Sequence, residues 1–136
     1  MKTMRTTLLA GLLTLTCCWV PMFSQDWYHQ REERFRGEEW RRHVFEHVRE
    51  DLNHIGSAIW ASGNERARLD RTRQELADLQ AKLDHRRFDQ GELNDVIDSL
   101  AKSADDRRLS PRDRDILHDD DARLRDYREH HDEWFR

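Results

Sequence analysis

Trp40, Val44, Phe45, Val48, Leu52, Ile55 and Ile59 share one face of a helix, at spacings built from threes and fours. At 3.6 residues per turn they form a coherent stripe, and such a stripe must be covered in water. It predicts a first helix from about Glu38 to Ala61. A second, from about Glu65 to Arg86, carries Leu69, Thr72, Leu76, Leu79 and Leu83 in the alternating pattern of a coiled-coil seam. Between the two, "SGN" at 62–64 ends one helix and begins the next. Gly63 suits the left-handed cap position there, and Asn64 suits the restart.

Two further helices announce themselves by their first residues. In "RRFDQGEL", Asp89 can cap, Glu92 follows three positions later, and Phe88 can staple to Leu93. In "RRLSPRD", Ser110 is the cap, Pro111 takes the first helical position, and Asp113 sits at the positive helix end. Leu93, Val96, Ile97 and Leu100 line the first of these helices; Ile116, Leu117, Leu124, Tyr127 and Trp134 line the second. No alternating β-branched run reads as a strand. The expected fold is all-α, a small antiparallel bundle or stacked hairpins of about four helices over residues 38–136.

The beginning of the chain has another character. Lys2 and Arg5 precede residues 6–20, which carry no charge. A basic start followed by a short apolar run is the layout of a secretory signal peptide, and the run falls short of a membrane span. The expected signal covers residues 1–25, with the cut near Ser24 or Gln25. Both cysteines, Cys17 and Cys18, lie inside it, so neither a disulfide nor a thiol nucleophile is expected afterwards. Leu15-Thr16-Cys17-Cys18 departs from a lipoprotein box, because a cysteine stands directly before the one to be modified. Residues 26–37 show no clear period and read as a mobile lead-in. The expected destination is the periplasm or the exterior of a bacterial cell, with no stable membrane insertion once the signal is gone.

Removing Lys2 and Arg5 from the 24 basic residues leaves 22 against 28 acids, a balance of −6. That charge opposes nonspecific nucleic-acid binding, which needs a basic footprint. From Trp27 to Phe135 there are 27 large apolar or aromatic residues, a thin supply for a small domain. A homodimer that helps to bury the leucine seam is therefore one expected partner.

Candidate chemistry is sparse. His43, His47 and His54 fall within about 40° of one another on the first helix, roughly 120° from the apolar stripe, with Glu50 and Asp51 alongside. Imidazoles at i and i+4 can share zinc, copper or nickel, and Glu50 could complete the ligand set. The competing reading is a wet helix shoulder. A zinc-protease helix would need glutamate after the first histidine, where Val44 stands. The acidic run 118–126 has consecutive acids and no loop glycine, so it reads as a solvated helix face rather than a calcium loop. His130 and His131 read as part of a fraying polar end. The serines lack a nucleophile elbow and the glycines stand far apart, so neither acyl transfer nor a phosphate loop is indicated. No enzyme and no cofactor are expected.

"LSPRD" at 109–113 resembles the L-T-x-x-Q motif of Spy/CpxP-type periplasmic helical stress proteins, and "FDQGE" at 88–92 resembles a second copy. Serine and aspartate replace the threonine, and aspartate and glutamate replace the glutamine. The resemblance implies a cradle-like helical chaperone or sensor regulator that binds clients, and it assigns no residue roles. The expected function is thus that of an exported helical protein acting by association with itself, a partner or an unfolded client. The alternative is a periplasmic metal binder using the histidine stripe.

Overall fold

Apolar stripes at helical spacing become helices here, and they close on one another. The computed structural model describes residues 23–58 and 63–134, and among them there are five α-helices and no strand. They are α1 (Phe23–Arg34), α2 (Val44–Ala58), α3 (Gly63–Asp84), α4 (Gln90–Ala104) and α5 (Pro111–Trp134), with a 3₁₀ turn (Glu39–Arg42) before α2. The expected signal falls almost wholly outside the described residues. Helix α2 packs on α3, α3 on α4, α4 on α5, and α5 returns to α2. This closed circuit makes α2–α5 a four-helix bundle and removes the alternative of stacked hairpins.

The core follows the stripes. Val48 and Ile55 of α2, Leu76 and Leu79 of α3, Leu93 and Leu100 of α4, and Leu117 and Leu124 of α5 are fully buried. Leu83, at the end of the seam, is only partly covered. The leucine seam is therefore buried within one chain, and the stated reason for a dimer is met by α2 and α4. Thr72, the seam's polar member, is satisfied by the Arg68 carbonyl at 3.0 Å and by the Ser99 hydroxyl of α4 at 2.7 Å.

Both anticipated helix starts form. The Glu92 amide donates to the Asp89 carboxylate at 3.0 Å, and the Asp113 amide donates to the Ser110 hydroxyl at 3.1 Å. Lys82 reaches from α3 to Asp89 and Glu92, tying the end of one helix to the start of the next. Ser110→Ala should cost about 0.5–2 kcal/mol, as an orphaned helix-start amide does. Urea melts of the two proteins would measure it.

Three expectations need correction. Residues 26–37, read as a lead-in without a period, include most of α1, which meets the bundle through Arg31, Trp27 and Tyr28, with Phe35 just past its end. They lack an apolar period because charge and ring edges, rather than an aliphatic stripe, make the contact. The first helix does not run unbroken from residue 38: a 3₁₀ turn carries Trp40, and His43 leaves helical geometry at φ −120°. Trp40 meets Phe35 at 6.3 Å and Trp134 at 5.8 Å between ring centres. Gly63 is the first residue of α3, not a left-handed cap. Among the described residues the glycine with positive φ is Gly37, at +71°, where the chain turns between α1 and the 3₁₀ turn.

At the end of α3 a left-handed residue does appear, and it is an arginine. Arg86 has φ +58°, with its amide donating to the Leu83 carbonyl at 2.8 Å and the Arg87 amide to Lys82 at 2.9 Å. These paired bonds form a Schellman motif, in which glycine is the usual occupant of the Arg86 position.

Candidate functional site

The histidine stripe is divided by α1. His43 and His47 remain neighbours, their ring centres 6.0 Å apart, beside Glu46 and Glu50. His47 lies edge-on to Phe35 at 5.3 Å, and burial lowers its pKa. His54 stacks flat on Trp27 at 3.6 Å, with burial lowering its pKa also. Glu50 is ion-paired with Arg34 of α1. Among the described residues, no three of His, Cys, Asp and Glu converge as a metal ion would need. His54→Ala should cost about 0.5–1.5 kcal/mol beyond the buried area, the range of a paired ring contact. His43→Gln, at an exposed position, should stay within about 0.5 kcal/mol of the parent. Thermal melts of both variants, with and without zinc, would separate a packing role from a metal role.

Under α1 lies a cluster that sequence reasoning missed. Arg31 Nε donates to Asp51 of α2 at 2.6 Å, and its NH2 group to Asp119 and Asp120 of α5 at 2.9 Å each. Arg34 adds a 3.3 Å contact to Asp51, and Arg123 one of 3.0 Å to Asp119. Asp51 and Asp120 are fully buried, so the run 118–126 is not a wholly solvated face. Burial raises the pKa of Asp120 well above the ordinary carboxylate value. The Asp51 charge raises it further, and Arg31 opposes both. Asp51 is raised as well, again by burial against the pull of Arg31. Asp120 Oδ2 accepts no N–H, and the two carboxyl groups are in hydrogen-bond contact. The signal was present in the spacing: Asp51 stands between Val48 and Ile55, and Asp120 between Leu117 and Leu124, both at stripe positions.

At one end of the bundle a groove of about 470 Å³ opens between the first turn of α2, the last turns of α3, and α5. Its floor is apolar: Val44, Phe45, Leu83, Phe88 and Tyr127. Phe88 stacks on His131 at 4.2 Å, and Phe45 meets Tyr127 at 5.1 Å. Burial pushes the Tyr127 hydroxyl pKa up to about 12, so the phenol stays neutral. Arg41, Arg42 and Arg86 stand around this floor with a single acid, Asp84. No protein-family model, curated protein or solved structure matches the chain. The site must speak through its own chemistry. That chemistry is an apolar floor, of which Leu83 and Phe88 are partly covered, beside guanidinium groups, with Arg41 held by Glu38 at 3.1 Å and over Trp134 at 4.3 Å. The volume lies within the range of sites for small ligands or single anchor side chains.

Proposed function

We propose that this is an exported, periplasmic or secreted bacterial protein that works by association, receiving an extended segment of another polypeptide in the groove between α2, α3 and α5. The observation that carries the reading is the floor itself. Leu83 and Phe88 are only partly covered, although they adjoin a core in which most apolar residues are sealed. Partly exposed apolar side chains in a concave setting, ringed by polar groups, are the usual mark of a binding surface. Client binding of the Spy/CpxP kind is one form of this reading. No helix among the described residues is long and apolar enough to cross a membrane. Export itself rests on the basic start and the uncharged run over residues 6–20.

The test uses the mature chain from Asp26, with a photo-crosslinking side chain at Leu83 and, as a control, at Gln74 on the outer surface. It is offered an unfolding reporter protein, and sedimentation velocity follows any self-association. The association reading expects crosslinks to the reporter from position 83 and few from position 74. Equal labelling from both positions, or none, would remove the groove from the function. Crosslinks only between identical chains would reassign it to a dimer.

A further inference from the structure

We infer that the groove selects its segment by charge, taking apolar or aromatic side chains flanked by carboxylates. The inference rests on the association reading and adds the chemistry of the partner. The first support is an imbalance of partners. Arg42 and Arg86 line the groove without an ion pair, side-chain hydrogen bond or ring contact among the described residues, in a chain whose acids outnumber its bases. Arg41 and Arg42 also border a neighbouring recess that contains Glu38, Glu39 and Glu133, although none of these acids lines the groove itself. Asp84, which does, accepts the Gln80 amide at 3.0 Å. The lining of the groove thus carries three guanidinium groups against one carboxylate, on a chain that is acidic overall.

The second support is conformational. Arg86 occupies the left-handed position of the Schellman motif, where a Cβ is disfavoured and glycine fits without strain. Holding an arginine there sacrifices stability and places a guanidinium at the mouth of an apolar groove. Backbone strain kept at a binding surface is a reason to look for a use. A carboxylate at that mouth would gain a charge-assisted contact, while the apolar side chain beside it fills the floor.

Arg86→Gly separates this use from a merely tolerated residue. The variant should melt higher than the parent, because it relieves the left-handed strain, and it should bind acidic segments more weakly. The probe is a short fluorescent peptide in which glutamates flank leucine and phenylalanine, compared with a counterpart carrying lysine at each glutamate. Fluorescence anisotropy with the mature chain should show the acidic peptide binding more tightly, and less so as salt is added. Arg42→Gln and Arg86→Gly should each weaken that binding by up to about fivefold, the scale of an exposed charge contact. Equal binding of the two peptides, or an Arg86→Gly protein that is stabilised with unchanged affinity, would overturn charge selection and leave association standing. Binding of neither peptide would overturn both readings. Decanoate offered alone, if it bound where the peptides did not, would also overturn the inference and point to a site for small amphiphiles.

Discussion

Arg31→Met should be among the most damaging single changes in the protein, costing about 3–5 kcal/mol. Arg31 reaches from α1 to carboxylates on α2 and α5, and its side chain is almost fully covered. Burial alone would lower its pKa; Asp120 and Asp51 outweigh that and hold the guanidinium above its ordinary value. Its removal leaves two fully buried acids facing each other, with only the 3.3 Å contact of Arg34 to Asp51 for a cation. Total stability is typically about 5–15 kcal/mol, so urea melts should show a large loss. Asp120→Asn in the same chain should restore part of it, since an amide needs no counter-charge and can still hydrogen-bond to Asp51. If Arg31→Met melted like the parent, the cluster would not be what seats α1.

The same pair fixes an unusual pH dependence. Asp51 and Asp120 have folded pKa values raised above their unfolded ones, so the folded state holds the extra proton. Their contribution is fully present below the ordinary value of 3.8 and is lost as pH rises through the raised value of Asp120. Their share of the stability should therefore fall as pH rises from mildly acidic to neutral, while the lowered values of His47 and His54 give the opposite slope. Asp89 acts oppositely: the Glu92 amide and Lys82 depress its pKa, so its contribution is lost only as pH falls below the ordinary range. Asp120→Asn should remove the fall that Asp120 contributes, so its stability relative to the parent should grow from mildly acidic to neutral pH. Denaturation curves across that range would show it. A stability difference between the two proteins that does not change with pH would contradict the raised values of the pair.

Leu79→Ala should cost about 2–5 kcal/mol, because the transfer free energy of the side chain is lost and a cavity remains. Leu79 is fully buried in the seam of α3, which α2 and α4 flank on either side. Arg73, on the same helix, pairs with Asp70 at 3.2 Å and bonds to Asn53, and much of its side chain is in water. Arg73→Ala should therefore shift stability by no more than about 0.5 kcal/mol. Circular dichroism at rising temperature should separate the two variants widely. Parent-like melting of both would mean that the seam is not packed as described.

How much of this could be read beforehand differs from element to element. The stripes of α2 and α3 were legible because an apolar face must be covered, whatever covers it. Ser110 and Asp89 were legible because capping is settled within four residues. Helix α1 was not, since no apolar period marks a helix that docks through a guanidinium and ring edges. The groove was not either: Arg42 and Phe88 lie far apart in sequence, and neither has a pattern of its own. Arg86 shows the limit from the other side, as nothing in "HRRF" distinguishes the arginine that takes the left-handed turn.

Local periodicity and capping chemistry by themselves determined that the chain is all-α, where α4 and α5 begin, and nearly the whole core. Those are interactions between residues a few positions apart, and spacing records them directly. Only the tertiary structure decided that the helices close into a bundle and that His54 turns to Trp27 instead of joining His43 and His47. It alone also joined Arg31 to Asp120, 89 positions away, and buried that carboxyl group deeply enough to raise its pKa. The physical reason is that burial sets the strength of a charge interaction, and burial belongs to the assembled fold rather than to any segment of it.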